Sequence, residues 1–235
     1  MPQLKRVVLK LSGEALAAPD GFGIDPDRAA SLVSEIEQVA GLGVQLGIVV
    51  GGGNFFRGVQ ASATGLRRIS VDYMGMLATV INSLALADFL KDRGLDAYVM
   101  SATEMQPFAE RFTRRGALAY MEAGKVVLFG AGTGSPFFST DTAAALRAVE
   151  VEADLVAKAT KVDGVYDRDP VRFPEAKRYD KISYVEVLSG RLAVMDAAAI
   201  ALCQDNNLPI VVFDMNTPGN MKRVAMGEKI GTLIS

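Results

Sequence analysis

Histidine and tryptophan are absent from the 235-residue chain, and cysteine occurs once, as Cys203. Without imidazole there is no Ser-His-Asp or Cys-His nucleophile system, no two-histidine zinc helix and no imidazole acid–base catalysis. One cysteine excludes an intramolecular disulfide and a thiolate metal cluster. Flanked by apolar residues in a helical pattern, it reads as a buried structural thiol. Charge surplus is lacking too: 25 Lys and Arg stand against 27 Asp and Glu with both signs interspersed. The basic face that nucleic acid or an anionic membrane demands is therefore not expected. The start, MPQLKRVVLKL, has neither the apolar core nor the small-residue cleavage site of a signal peptide, and no apolar run reads as long enough to span a bilayer. The expectation is a cytoplasmic protein. Lys, Arg, Asp and backbone amides remain for chemistry, a set suited to phosphoryl transfer, where positioning and charge neutralisation dominate.

Half of the chain is hydrophobic, enough for one large core, and a single domain over 1–235 is expected. Apolar runs at 4–11, 44–50, 96–100, 125–129, 154–159, 209–213 and 231–234 read as strands. Helical spacing fills 71–93, 113–123, 140–150, 184–188, 195–206 and 221–226 between them. A further helix starts with Asp25 as N-cap and Pro26 at its first position, and Gly41 and Gly43 end it. Strands alternating with helices imply an α/β fold, with a mainly parallel central sheet covered on both faces. No repeat or low-complexity tract interrupts it, and 160–182 form the longest irregular stretch, a surface loop or hairpin.

Three glycine-rich segments fall at strand ends: KLSG (10–13), GGGNFFRG (51–58) and GAGTGSPFFSTDT (130–142). Ligands of open α/β sheets bind outside the carboxyl ends of the strands. One such loop is as well explained by a tight turn needing φ > 0. Three together point to an anion site of exposed backbone N–H groups backed by helix N-termini, with phosphate the natural guest. None completes the G-x-x-x-x-G-K-[ST] or G-x-G-x-x-G pattern, which disfavours a P-loop NTPase and a dinucleotide-binding dehydrogenase.

Lys10 ends an apolar strand beside Ser12-Gly13 and reads as a cation aimed into the site. Arg57, after the triple glycine, suits a phosphate clamp. Asp141 has two readings: a carboxylate complementing the helix dipole, or an organiser of cations or of a metal near the transferring group. In KATKVDGVYDRDP (158–170), Asp-Gly and Asp-Pro are ordinary turn chemistry, while Thr160, Tyr166 and Asp169 could grip a base and ribose.

These segments, with KLSGEAL, VDYMGMLATVIN, EADLVAKATKVDGVYDRDP, VMDAAAIAL, LPIVVFDMN and MGEKIGTLI, resemble the bacterial UMP kinases of the amino acid kinase family, collinearly over essentially the whole chain. The resemblance implies a three-layer α/β/α sandwich and magnesium-dependent transfer of the ATP γ-phosphoryl group to UMP. It implies ATP contacts at Lys10, Leu11, Ser12, Gly13, Gly53 and Arg57, with Thr160, Tyr166 and Asp169 holding the adenosine. Gly52, Asp72 and the loop Thr133, Gly134, Ser135, Pro136, Phe137, Phe138, Ser139 and Thr140 would take UMP. Lys10, Arg57, Asp141 and Lys158 would serve the transfer, with Mg2+ held mainly by ATP phosphates. A homohexamer activated by GTP and inhibited by UTP is implied as well. Ala18, Pro19, Asp20, Gly21, Phe22 and Gly23 match the GTP-responsive stretch, but LALADFLKDRG and DAYV lack several basic and histidine residues of the family's GTP pocket. The alternatives are a sister kinase with a carboxylate or carbamate acceptor, and a nucleotide sensor without catalysis, which would not need Lys10, Arg57 and Asp141 together.

Overall fold

The structure, a computed structural model, describes residues 4–56, 65–192 and 194–235. The first strand, β1 (Arg6–Leu11), leads through a single 3-10 turn at Gly13–Ala15 into α1 (Pro26–Ala40). Asp25 caps that helix as expected, accepting the Arg28 N–H at 2.9 Å. Then follow β2 (Gln45–Val50), α2 (Arg68–Asp92), β3 (Ala97–Ser101), β4 (Glu110–Arg111), α3 (Arg114–Glu122), β5 (Val126–Gly130), α4 (Thr140–Glu150) and β6 (Leu155–Thr160). The irregular stretch contains β7 (Val165–Tyr166), β8 (Arg178–Tyr179) and β9 (Lys181–Ile182). After it come α5 (Tyr184–Ser189), α6 (Ala197–Asp205), β10 (Ile210–Asp214), α7 (Asn220–Ala225) and β11 (Thr232–Ile234).

Among the described residues, nine strands form one sheet in the order β4-β3-β5-β2-β1-β6-β10-β11-β9, parallel throughout except where β11 runs against β10. The α/β sandwich with a mainly parallel sheet, inferred from alternating apolar runs, is thus the observed fold. Strands β7 and β8 pair antiparallel in a separate two-stranded piece, the hairpin form of the 160–182 expectation. Alternate residues of each strand face opposite layers. Val7, Leu9 and Leu11 of β1 pack with α1, α2 and α7; Val8 packs with α3, α4, α5 and α6. Cys203 is buried in the second layer, where loss of water pushes its thiol up to about 12, so it remains a neutral packing group.

One expectation needs correction. Among the described residues, α2 alone has the length and apolar composition of a bilayer span: 25 residues, with a mean hydropathy of 1.4 over its best window. Only 44% of that window is buried, because one face packs on the sheet while Ile69, Tyr73, Leu77, Ile81 and Leu84 project outward. Apolar on its outer face as well, the helix reaches a hydropathy that an amphipathic one would not.

Candidate active site

Lys10 and Lys158 occupy directly paired positions on the neighbouring parallel strands β1 and β6. Paired residues of adjacent strands project from the same face, which brings two ammonium groups together in a mostly buried place. Asp141, in the first turn of α4, lies between them: Oδ1 is 2.8 Å from Lys10 Nζ and Oδ2 is 2.7 Å from Lys158 Nζ. The two readings of Asp141 are therefore not exclusive, since the first helical turn is also what carries its carboxylate to the lysines. Lys158 Nζ donates in addition to the Val194 carbonyl.

Burial opposes ionisation of Asp141, yet the two ammonium groups more than compensate and hold its carboxyl below its ordinary value of 3.8. Burial lowers the pKa of Lys158, and Lys10 adds to that, while Asp141 opposes it. Oδ1 of Asp141 is shielded from solvent and has no aligned hydrogen bond, only the ion pair with Lys10. The triad is thus held by charge and by the hydrogen bond from Lys158 to Oδ2, two ammonium groups sharing one carboxylate.

Around it lie the three glycine-rich turns. Gly13 sits where a Cβ would come within 2.5 Å of the Gly51 carbonyl oxygen and 2.9 Å of the Gly53 nitrogen, so the turns after β1 and β2 touch backbone to backbone. Ser12 caps the 3-10 turn through Glu14 N–H. In the loop after β5, Gly132 and Gly134 have φ of 58° and 85°, and Ala131 and Phe137 share that left-handed region at 61° and 72°. Turn geometry accounts for two of the three glycines. Gly130 remains strand, where a Cβ would come within 3.1 Å of Val80 Cγ2.

A cavity of about 320 Å³ opens between the loops after β2 and β5. Gly52, Gly53, Asp72, Phe138, Ser139 and Thr140, all expected near the acceptor or donor, line it. Thr133, Gly134, Ser135 and Pro136 lie in the turn beyond its wall. Thr133 Oγ1 closes that turn onto Ser135, and Phe137 N–H donates to Asp72 Oδ2 at 2.8 Å. Asp72 also receives Arg68 Nε at 2.8 and 3.0 Å. Met76 and Thr79 line the cavity too and were missed. Their signal was present, because 72, 76 and 79 are one helix face within VDYMGMLATVIN.

Thr160 borders two further cavities. One, of about 400 Å³, includes Tyr166, Asp169, Leu192 and Val212; the other, of about 380 Å³, includes Ser12, Glu14, Lys161 and Asn216. The expected ATP residues that line cavities are thus divided among three, with Gly53 in the first and Ser12, Thr160, Tyr166 and Asp169 in these two. Strand parity separates the latter two: Thr160, two residues beyond Lys158, projects to the Lys158 face, as does Val212, the β10 partner of Lys158. The larger cavity therefore shares the lysine face. Tyr166 OH donates to Asp163 at 2.6 Å, and this hydrogen bond raises the phenol pKa.

Arg57 lies outside the described residues. Ala18 to Gly23 form a turn tied to the β2 loop, with Gly23 N–H donating to the Asn54 carbonyl at 3.0 Å. Asp196, also missed, accepts from Ser139 Oγ and from Thr142 Oγ1 at 2.8 Å while capping α6. It sits in VMDAAAIAL, where its N-cap position was the readable signal. Among the described residues no cluster of three Asp, Glu, Cys or His side chains could hold a metal, and both oxygens of Asp141 already face ammonium groups. A resident metal does not fit this donor set.

Residues 5–214 match the model of the amino acid kinase family. Among solved structures, the chain is similar to the UMP kinase from Bacillus anthracis, at 40% identity and a TM-score of 0.96, covering 99% of this chain and 96% of that one. It is similar to the UMP kinase from Ureaplasma parvum at 37% identity and a TM-score of 0.92, covering 98% of each chain. With the uridylate kinase from Archaeoglobus fulgidus it shares 29% identity and a TM-score of 0.76, over 97% of this chain and 99% of that one.

Proposed function

The chain belongs to the amino acid kinase family, and from that premise we propose that it is a UMP kinase, moving the γ-phosphoryl group of ATP onto UMP to give UDP and ADP. The observation that carries this assignment is the Lys10–Asp141–Lys158 triad between two nucleotide-sized cavities on one line of strand ends. The UMP kinases above, similar over nearly the whole chain, support UMP as the acceptor.

In this assignment ATP lays its adenosine in the Tyr166 and Asp169 cavity and its phosphates over Lys10 and the Ser12-Gly13 turn. UMP occupies the cavity lined by Gly52, Asp72 and Thr140. Transfer is in line, without a covalent enzyme intermediate. Lys10 and Lys158 neutralise charge on the moving group, and Asp141 fixes both ammonium groups in place beforehand. No general base is required, because a UMP phosphate oxygen is already an anionic nucleophile, which fits a chain without histidine. Arg57 on the ATP side rests on the resemblance alone. Magnesium belongs here to the nucleotide substrate, bound by its phosphates. An ADP-release assay with UMP, CMP, acetylglutamate, aspartate and carbamate tests the assignment. Turnover is expected with UMP, and turnover only with a non-nucleotide acceptor would overturn it.

The proposal extends to assembly. The outward stripe Ile69, Tyr73, Leu77, Ile81 and Leu84 follows helical spacing along α2, an arrangement suited to pairing with a second copy. A hexamer would be built from such dimers. Leu77→Glu is expected to lower the particle mass in light scattering by breaking the pair; an unchanged mass would remove the stripe from the interface. GTP activation through Ala18 to Gly23 and UTP inhibition form the last part of the proposal, supported by the hydrogen bond from Gly23 to Asn54 beside the acceptor turn. Titrating both nucleotides on protein of known mass tests it.

A further inference from the structure

The stretch VDYMGMLATVIN contains two polar residues that the transfer reaction does not itself use. Thr79 is 3% exposed and Asn82 fully buried, three residues apart on the face of α2 turned toward the sheet. Thr79 Oγ1 accepts the Ala131 N–H at 2.9 Å and donates to the Met76 carbonyl at 2.7 Å. Ala131 begins the loop after β5 and lies in the left-handed region, where a residue with a side chain stays only when its surroundings hold it. Asn82 Nδ2 donates to the Gly51 carbonyl and to Asn54 Oδ1, both at 2.7 Å. Asn54 Nδ2 returns a bond to Asn82 Oδ1 at 3.0 Å and gives another to the Gly23 carbonyl at 2.7 Å. Both amide NH2 groups are fully used inside the protein.

The two loops held in this way are the two sides of the acceptor cavity, and Asp72, Met76 and Thr79 of the same helix form its back. Gly52 is pressed against that helix so closely that a Cβ would lie 2.7 Å from Ala78 Cβ. We propose that Thr79 and Asn82 are positioning residues for the acceptor: from one face of α2 they fix the glycine turn and the loop after β5 at a set separation, so that the cavity is assembled before a nucleotide enters. Resting on the UMP kinase assignment, this makes α2 the frame of the acceptor side alone. The donor cavity beyond β6 has no contact with either residue.

The test uses Thr79→Val, which keeps the shape and leaves the Ala131 N–H without its acceptor, beside Thr79→Ser, which keeps the hydroxyl. The KM for UMP is expected to rise about tenfold in T79V, as for loss of a buried hydrogen bond, with the KM for ATP within about twofold. T79S is expected to stay close to the wild type on both. A purely structural role would move both constants together or neither, and either outcome overturns the proposal. Hydrogen exchange of the Ala131 amide, measured without nucleotide, supplies an arm independent of turnover and of whether T79V folds. Protection in the wild type and in T79S is expected, whereas exchange at the rate of an open loop in the wild type overturns the proposal. Failure of the wild type to phosphorylate UMP would instead refute the assignment of the acceptor, with the exchange arm still deciding whether the loop is held.

Discussion

Replacing Lys10 by methionine is expected to lower kcat about a thousandfold and to leave the KM for UMP within about threefold. The asymmetry follows from where the side chain sits. In the proposed assignment Lys10 projects from β1, which lies between β2, whose loop lines the acceptor cavity, and β6, whose end lines the donor cavity, so its charge would act on the group in transit. Some stability should be lost as well, since Asp141 Oδ1 is left without its ion-pair partner, but Lys158 remains paired with Asp141 at 2.7 Å and loses a like charge beside it. Arginine should not rescue the rate, because its planar fork cannot occupy the compact place of an ammonium between two strands. The decisive measurement is steady-state kinetics on a variant whose melting temperature has been recorded. Loss of rate only in proportion to loss of folded protein would refute the role, and so would unchanged kcat.

Asp141→Asn should damage both rate and fold. Lys10 and Lys158, each with a side chain 12% exposed, would face one another without the carboxylate between them, leaving Lys158 only the weaker carboxylate influence of Asp196. Breaking a buried pair in this way costs about 3–5 kcal/mol, and Lys158, with its pKa already lowered, would relieve part of it by shedding its proton. In the double variant Asp141→Asn with Lys158→Met, most of the stability should return while kcat remains at least about a hundredfold down. Recovery of activity along with stability would show that Asp141 serves the fold alone. The native protein has a matching pH signature. Because the folded pKa of Asp141 lies below 3.8, its contribution is complete above that value and is lost as the pH falls through the depressed one. Thermal melts from pH 6 downward should accordingly show no Asp141-linked loss until below the ordinary carboxylate range.

Long elements were legible because their periodicity is local. Thr140–Glu150 and the Asp25-Pro26 helix start appear where capping and spacing put them. The two-residue strands β4, β7, β8 and β9 were not, since two residues carry no period to read. Lys10 could be suspected from its place before Ser12-Gly13. Its pairing with Lys158, however, depends on β1 lying beside β6, a contact between distant parts of the chain that no local pattern encodes. The same limit applies to Asp141, whose neighbours allowed two roles and whose distant partners supply the second. Met76 and Thr79 were missed for a different reason: they lie on the same face of α2 as the buried Leu86 and Leu90, and where that face stops packing on the sheet and starts lining a cavity depends on the distant loops after β2 and β5.

The strand order carries a last consequence, for how such a protein can change. Loops after β5 and β2 bound one cavity, β1 supplies Lys10, and residues after β6 and in β10 bound the other. Neighbouring strands stand about 4.8 Å apart, so the two bounding strands nearest the lysine, β2 and β6, are separated by roughly 10 Å of rigid sheet. The sheet is a ruler, and the loops are interchangeable heads mounted on it. Lengthening or rewriting the loop after β5 can alter which molecule is accepted without moving the point of transfer, whereas inserting a strand next to β1 would shift that point by a whole division. Under the proposed assignment, acceptor choice can therefore drift by small steps while the transfer distance stays constant.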